Sequence, residues 1–449
     1  MYNETHRPQF HFSARENWLN DPNGLFFYDG QYHLFFQHNP FGTAWGNMTW
    51  GHALSPDLLH WRQVEHALYP DALGTMFSGS AVVDWHNTTG FQAGDQPPIV
   101  LIYTAAGGTS PESQGKPFTQ CLAFSTDGAQ TWQKYPGNPV LGEQRSGNRD
   151  PKVIWHDPTR RWIITLYLDE NDFALYASPD LIHWEHLHDL VAPDSIECPD
   201  LFRLPVDGAP GMKKWVWMAG NGRYYIGDFD GSRFNPESDL LTGDWGANFY
   251  ACQTYSDIPD PDARRIQIAW MKDGQYPGMP FNQQMSFPCE IRLRDTPHGP
   301  RLTRWPVREI ERIWADRQSW ENLHLDSRGI LLTADAGQQL DISVSIGLKD
   351  ARAVGLEIGG VAIRYDCEAQ TLNCLGCTAP LAPEDGRIHL RCLLDRTSLE
   401  VYGNRGLVSM SSCCLPSEQN AVLRIFAEGG GSVFEQVTAS NVLSTWPKE

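Results

Sequence analysis

Short runs of apolar residues alternate with polar turns along almost the whole chain. Runs rich in Val, Ile, Tyr, Phe and Trp are interrupted every ~8–12 residues by Asp, Gly, Asn or Pro, a spacing typical of antiparallel strands. Helical periodicity is nearly absent, and the one predicted helix covers residues 307–316, after Pro306. The pattern therefore indicates an all-β protein. Predicted strands in the first two thirds include residues 24–28, 32–37, 99–104, 162–168, 215–219 and 266–270.

One turn sequence recurs along the chain. Ser55-Pro-Asp-Leu-Leu-His-Trp61 returns as Ser178-Pro-Asp-Leu-Ile-His-Trp184, and Ser125-Thr-Asp-Gly-Ala-Gln-Thr-Trp132 is a looser copy. Each copy follows a predicted strand, as expected for the blades of a β-propeller, although three unrelated Asp-containing turns are the alternative. About 300 residues have room for about five four-stranded blades.

The last third of the chain has fewer aromatic residues but keeps its strand pattern. Predicted strands cover residues 340–346, 361–365, 388–394, 399–402 and 422–426, which is typical of a β-sandwich. We therefore predict a five-bladed β-propeller over residues 1–308, a linker with a short helix over residues 309–325, and a β-sandwich over residues 326–449.

Composition and charge exclude several classes of partner. The 449 residues are 41% hydrophobic and 20% charged, and 54 acidic against 35 basic side chains give a net charge of −19. That sign opposes binding to nucleic acid or to an anionic membrane surface. No run of about 18 apolar residues predicts a membrane span, and residues 1–16 do not resemble a signal peptide. We expect a cytoplasmic protein, with secretion after removal of a signal peptide as the alternative, and make no prediction of its oligomeric state.

The cysteines are unevenly distributed. Six of the ten lie between Cys367 and Cys414, and Cys374-Leu-Gly-Cys377 has the spacing of a zinc half-site. A second half-site is missing, so free thiols or a disulfide are the expectation. We predict no metal and no cofactor.

Three carboxylates lie in unusual settings. Asp21 is part of Trp18-Leu-Asn-Asp-Pro-Asn-Gly24, Asp150 of Asn148-Arg-Asp-Pro151, and Glu197 of Glu197-Cys-Pro-Asp200. Each alone reads as a structural turn. In a propeller, however, three such turns can meet at one end of the axis, where like charges raise at least one pKa. Glycoside hydrolysis uses such carboxyl groups.

Aromatic and amide side chains could complete a sugar site. Flat aromatic rings can wall a sugar, and amide, hydroxyl and guanidinium groups can bind its hydroxyls, although core packing is the alternative for each tryptophan. The candidates are Trp45, Trp50, Phe77 and Trp270 as walls, and Asn20, Gln37, Ser78 and Arg149 as polar groups.

The ordered motifs resemble family 32 of the glycoside hydrolases, which includes invertases, inulinases and levanases. The motifs are the three above together with Phe77-Ser-Gly-Ser80, and Leu393-Leu-Asp-Arg-Thr-Ser-Leu-Glu-Val-Tyr402 resembles the C-terminal sandwich of the family. The resemblance implies a five-bladed propeller followed by a sandwich, and hydrolysis with retention of anomeric configuration. One departure is Cys289, where many members carry Arg.

The resemblance also implies roles for single residues. It makes Asp21 the nucleophile, Glu197 the acid/base and Asp150 the transition-state stabiliser. The implied fructosyl-binding residues are Asn20, Gln37, Trp45, Phe77, Ser78, Arg149 and Trp270. We expect Arg149 to keep Asp150 ionised and neighbouring charge to raise the pKa of Glu197, and therefore an acidic pH optimum.

Several functions stay open at this point. The stretches around residues 71–77, 115–120 and 276–282 look most like bacterial exo-acting fructan β-fructosidases, so release of terminal fructose from levan, inulin and sucrose is the main hypothesis. A sucrose-preferring invertase and a fructosyltransferase of the same family are alternatives. A propeller glycosidase of arabinose or xylose polymers is a third alternative. A carbohydrate-binding protein with an inactive site is the alternative from a different class.

Overall fold

The computed structural model describes residues 2–259, 264–326, 329–332, 338–416 and 423–447. Within these residues the chain is almost entirely β, as predicted, with 34 strands and three short 3₁₀ helices. The N-terminal part forms five antiparallel propeller blades of four main strands, the fourth and fifth of which a short parallel pairing joins into one sheet, and two six-stranded sheets follow. The 3₁₀ helices are Pro111–Ser113, Asp157–Thr159 and Arg308–Ile313.

Each blade is a meander of consecutive strands. The first contains β1 (Asn17–Tyr28), β2 (Gln31–Asn39), β3 (Thr49–Ser55) and β4 (Arg62–Leu68), and the second β5 (Thr75–Val83), β6 (Ile99–Ala106), β7 (Phe118–Ser125) and β8 (Gln133–Lys134). The third contains β9 (Arg149–His156), β10 (Arg161–Asp169), β11 (Asp172–Ser178) and β12 (Glu185–Val191). The fourth contains β13 (Asp200–Asp207), β14 (Lys213–Met218), β15 (Arg223–Phe229) and β16 (Phe234–Pro236), with β17 (Leu241–Thr242) beside β15.

The fifth blade closes the ring onto the first. It contains β18 (Tyr250–Thr254), β19 (Arg265–Trp270), β21 (Cys289–Arg294) and β22 (Arg301–Pro306), while the intervening β20 (Phe281–Asn282) pairs in parallel with β1. Backbone hydrogen bonds also join Ser256, which follows β18, to Leu25 and Phe27 of β1. The two ends of the propeller are thus held together by main-chain bonds.

The recurring turn forms the same hydrogen bonds in two of its three copies. In the first copy the Asp57 carboxylate accepts the backbone N–H groups of Leu59 and His60, and the Trp61 indole donates to the carbonyl of Leu58. Leu58 has φ +67°, which the turn requires despite its side chain. The copy after Ser178 repeats every one of these bonds. All three copies connect the third strand of a blade to the fourth, so the repeat predicted the blade organisation correctly.

The C-terminal domain is a sandwich of two six-stranded sheets around one apolar core. One sheet has the order β23 (Trp314–Leu325), β34 (Ser432–Val442), β25 (Leu340–Gly347), β30 (Arg387–Asp395), β31 (Ser398–Gly403) and β32 (Val408–Cys413). The other has the order β24 (Ile330–Leu332), β33 (Leu423–Glu428), β26 (Ala353–Ile358), β27 (Val361–Asp366), β28 (Thr371–Cys374) and β29 (Cys377–Pro380). Residue 422, the start of one predicted strand, lies outside the described residues.

The segment predicted as a linker is more regular than expected. The predicted helix is a 3₁₀ helix that ends at Ile313, and β23 begins at Trp314 and pairs with β34 along nearly its whole length. The prediction of a helix up to residue 316 was therefore wrong for its last three residues. The reason is tertiary, because pairing with the distant strand β34 outweighs a weak local helical pattern.

The two domains meet through buried charges. His11, at the start of the propeller, bonds to Asp395 through Nδ1 and to Glu400 through Nε2, each at 2.9 Å, and all three side chains are fully buried. Arg304 and Asp244 form an ion pair at 2.6 Å within the propeller, and both side chains bond to a serine hydroxyl of β32 in the sandwich. Such pairs hold one relative placement of the domains, because either partner alone would be a buried charge.

All ten cysteines lie within the described residues, and all are free thiols. Cys374 and Cys377 face each other across the hairpin of β28 and β29. Cys289 lies buried at the domain interface, 3.3 Å from the hydroxyl of Tyr402, so the departure at this position does not touch the cavity described below.

No helix within the described ranges is long and apolar enough to span a membrane.

Candidate active site

Bulges at the starts of inner strands aim side chains at the propeller axis. The pairing of β1 with β2 shifts register between Leu19 and Pro22, and that of β5 with β6 shifts between Met76 and Gly79. A bulge inserts an extra residue and re-aims the side chains beside it, and bulges are frequent next to active sites. Asp21 lies in the first shift and Ser78 in the second, and both side chains point to the same cavity.

Left-handed backbone occurs at the other carboxylates. Asp150 has φ +64°, Glu197 has φ +54° and Cys198 has φ +41°. Residues with a Cβ atom rarely adopt this region, and such strain concentrates at functional sites. The motifs that contain Asp150 and Glu197 thus both have a sharply bent backbone at the carboxylate.

All ten residues to which the family resemblance gives a role line one cavity of about 210 Å³. The structure adds two residues that sequence reasoning missed, Tyr250 and Lys272. The full lining is Asn20, Asp21, Gln37, Trp45, Phe77, Ser78, Arg149, Asp150, Glu197, Tyr250, Trp270 and Lys272.

Asp21 is held by two side-chain donors. The Ser78 hydroxyl donates to Oδ2 at 2.5 Å and the Asn20 amide donates to Oδ1 at 3.0 Å. Asn20 is oriented in turn by the indole N–H of Trp18, at 2.8 Å. Burial raises the pKa of Asp21, these hydrogen bonds lower it in part, and the charge of Glu197 raises it further, so that the pKa lies above its ordinary value.

Asp150 is the most strongly perturbed carboxyl group of the cavity. Burial raises its pKa to about 7, the charges of Glu197 and Asp21 act in the same direction, and Arg149 only partly opposes them. The nearest Arg149 nitrogen is 4.0 Å from Asp150. The expectation that Arg149 keeps Asp150 ionised was therefore wrong, because the guanidinium turns toward a different carboxylate.

That carboxylate is Glu197. Arg149 donates to its Oε1 from Nε at 3.0 Å and from Nη2 at 2.5 Å, and the Tyr250 hydroxyl donates to its Oε2. Burial and the charge of Glu197 raise the pKa of Tyr250 well above its usual range, so Tyr250 keeps its proton. Both oxygens of Glu197 are therefore fixed by donors.

Cys198 connects the carboxylates. Its backbone N–H donates to Asp150 at 3.2 Å, and its Sγ lies 3.5 Å from Asp150 and 3.7 Å from Asp21. Burial and the surrounding carboxylates raise the pKa of the thiol well above its usual range, so it is a neutral donor and not a nucleophile.

Three of the four predicted aromatic walls line the cavity. Trp45, which is 56% exposed, packs edge-on against Phe77, and Trp270 donates its indole N–H to Gln283 at 3.0 Å. The fourth, Trp50, was a wrong prediction. It is fully buried in the core and donates to the carbonyl of Phe77, so it supports the wall from behind.

A positional signal could have identified the two missed residues. Tyr250 begins the inner strand of the fifth blade, as Arg149 and Asp150 begin that of the third. Lys272 follows the predicted wall residue Trp270 by two positions. The motifs gave no chemical reason to select either residue, because one tyrosine or lysine in a strand-rich segment is common.

The arrangement suits acid/base and nucleophilic chemistry on a neutral, hydroxyl-rich ligand. One carboxylate is held by neutral donors, another by a cation and a phenol, and a third carries its proton up to about pH 7. No group of three or more His, Cys, Asp or Glu side chains within the described ranges could hold a metal ion.

Comparisons with known proteins agree with this geometry. Residues 11–306 match the Glycosyl hydrolases family 32 N-terminal domain, and residues 309–441 match the Glycosyl hydrolases family 32 C terminal domain. The chain is 37% identical to a levanase of Bacillus subtilis, covering 99% of this chain and 72% of the relative. It is 33% identical to an invertase of Schizosaccharomyces pombe, covering 81% of this chain and 68% of the relative.

A solved structure shares the architecture of both domains. The exo-inulinase of Aspergillus awamori superimposes with a TM-score of 0.89 at 29% identity, covering 99% of this chain and 100% of that one.

Proposed function

Because the chain belongs to family 32 of the glycosyl hydrolases, we propose that it cleaves the bond between a terminal β-D-fructofuranosyl unit and the rest of a fructan or of sucrose. The chain is a glycosidase of the β-fructofuranosidase type. The observation that carries the site assignment is the convergence of Asp21, Asp150 and Glu197, from three separate motifs, in one sugar-sized cavity.

In the first step Asp21 attacks the anomeric carbon of the fructosyl unit. Ser78 and Asn20 orient the two oxygens of the carboxylate, so that the attacking lone pair is held in place before the substrate arrives. Glu197 enters this step protonated and gives that proton to the bridging oxygen. The glycosidic bond breaks, the departing sugar leaves as an alcohol, and Glu197 becomes the carboxylate that Arg149 and Tyr250 hold. The product of this step is a fructosyl ester of Asp21.

In the second step Glu197 accepts a proton from water, which attacks the same carbon and releases Asp21. Two displacements on one carbon restore the original configuration. Tyr250 and Arg149 hold Glu197 in position for both proton transfers.

Asp150 binds sugar hydroxyls beside the reacting carbon. With a pKa of about 7 it carries a proton at mildly acidic pH, so it can donate one hydrogen bond and accept others. Such bonds strengthen as charge develops on the ring, and this gives Asp150 its role as transition-state stabiliser.

Similarity to an exo-acting enzyme favours attack at a chain end. The exo-inulinase of Aspergillus awamori shares the architecture of both domains, and here the carboxyl groups converge in a single cavity. This supports exo-action on levan and inulin, with sucrose as a small substrate that presents the same fructosyl group.

Product analysis tests the proposal. The enzyme is incubated separately with sucrose, inulin and levan at mildly acidic pH, and a parallel reaction contains methanol. Free fructose as the only early product of the polymers, and methyl β-D-fructofuranoside from the methanol reaction, are the expected results. Larger oligosaccharides would indicate endo-cleavage or transfer to sugar, and no product from any substrate would favour a carbohydrate-binding protein with an inactive site.

An invertase is the second candidate. The 33% identity to an invertase favours it, and a kcat/KM for sucrose far above that for both polymers would select it.

A further inference from the structure

One wall of the cavity contributes only Tyr250 to the two steps above. It comes from the fifth blade and contains Tyr250, Trp270 and Lys272, whereas the donors that hold Asp21 come from the first and second blades. The Lys272 ammonium nitrogen lies 4.7 Å from the centre of the Tyr250 ring and 6.0 Å from the centre of the Trp270 ring.

The ammonium group of Lys272 forms no salt bridge among the described residues. Among the residues that the structure describes, no carboxylate lies within 4.0 Å of it, although the side chain is half-buried. A cation over aromatic faces is attracted to the rings and keeps its three N–H donors available. Lys272 is therefore a positioned donor at the wall of the cavity.

The position of Tyr250 shows on which side of the cavity Lys272 lies. Its ring lies under Lys272 and its hydroxyl bonds to Glu197, the group proposed to protonate the bridging oxygen. In a retaining site the departing sugar leaves on the side of the acid, away from the nucleophile. Lys272 therefore lies on the leaving-group side of the cavity.

We propose that Lys272 is a specificity-determining residue that donates hydrogen bonds from its ammonium group to hydroxyls of the departing sugar ring. The inference rests on the proposed function. The departing ring of sucrose or of a fructan is neutral, so the ammonium group binds it through hydrogen bonds to its hydroxyls.

The test compares substrates that share the fructosyl unit and differ in the leaving group. Sucrose and a β-linked fructosyl disaccharide offer a hydroxyl-rich leaving group, whereas methyl β-D-fructofuranoside releases methanol and shares only the fructosyl unit. Lys272→Met keeps the length of the side chain and removes the charge and donors. We expect kcat/KM to fall about tenfold or more for the sugar leaving groups and less than twofold for the methyl fructoside.

Two control variants complete the experiment. Lys272→Arg retains charge and donors and is expected to recover most of the activity on sugars. Lys213→Met removes an exposed lysine at the start of β14 and is expected to change nothing.

The outcomes separate the possible roles. An equal decrease in kcat/KM for all substrates, with a displaced pH profile, would mean that Lys272 acts on Glu197 through its charge. No change in kcat/KM for any substrate would mean that Lys272 does not contact the substrate. Either result overturns the proposal. If the wild-type enzyme fails to hydrolyse even the methyl fructoside, the proposed function fails and not merely the role of Lys272.

Discussion

Arg149 binds Glu197 through two nitrogens, although Asp150 is its neighbour in the chain. Both donor distances to Glu197 are 3.0 Å or less, whereas the closest approach to Asp150 is 4.0 Å. The charge of Arg149 therefore offsets the burial of the Asp150 carboxyl group only in part, and the pKa of Asp150 rises to about 7. The position of the Arg149 guanidinium thus gives Glu197 and Asp150 different electrostatic environments.

The pH dependence of kcat/KM follows from this division. Because that ratio reports ionisations of the free enzyme, it should decline above a pH of about 7, where the cavity loses the proton of Asp150. The acidic limb should lie above pH 3.8, because the pKa of Asp21 is raised from that value. Initial rates on sucrose between pH 3 and 9 measure both limbs. A rate that still increases above pH 8 would contradict the assignment.

Asp21→Asn should remove turnover and leave binding intact. The amide is nearly isosteric but cannot form the covalent ester, so we expect kcat to fall by at least about three orders of magnitude. Calorimetry with a fructo-oligosaccharide measures binding in the inactive variant. Asp29→Asn, in the exposed turn after β1, is the control. Activity within tenfold of wild type would exclude Asp21 as nucleophile.

Asp150→Asn should be inactive yet more stable than wild type at alkaline pH. The folded-state pKa of Asp150 is above the unfolded one, so the wild type loses stability as the pH rises through about 7, whereas Asn carries no charge to bury. The difference should be on the order of a few kcal/mol at pH 8 and vanish near pH 4. Urea unfolding of both proteins at the two pH values checks this. Equal stabilities at pH 8 would show that Asp150 is not a strained buried charge.

His11 should make the domain interface sensitive to alkaline pH. Burial lowers its pKa, but the bonds to Asp395 and Glu400 outweigh burial and raise it from 6.5 to about 9. A raised pKa gives stability that is complete below pH 6.5 and lost as the pH rises through about 9. His11→Gln leaves two buried carboxylates facing a neutral group, which costs about 3–5 kcal/mol near pH 6.

The measurement is the unfolding free energy of wild type and His11→Gln between pH 6 and 10. The difference in unfolding free energy between the two proteins should decrease as the pH increases. His60→Gln is the control, because His60 pairs with Asp57 in an exposed turn, where an ion pair is worth at most about 1 kcal/mol. A gap that stays constant with pH would mean that His11 is neutral in the folded protein.

The strand pattern and the recurring turn were sufficient to predict the architecture. Strands have a local signature, since side chains alternate and turns need Asp, Gly or Asn at set positions. The Asp57 and Asp180 turns form the same bonds in two blades because the same seven positions supply the same groups. The motif resemblance likewise identified ten of the twelve lining residues, because family motifs retain their order along the chain.

Only the tertiary structure decided which groups contact each other. Sequence neighbours suggested an Arg149–Asp150 pair, but the left-handed backbone at Asp150 separates the two side chains and turns Arg149 to Glu197. Lys272 and Tyr250 enter the cavity because the ring of blades closes, and Trp50 leaves it because its side of β3 faces the core. Residues 314–325 become a strand because β34 lies beside them. Local preferences set where strands begin and end, whereas charge pairing and burial depend on distances between segments far apart in the chain.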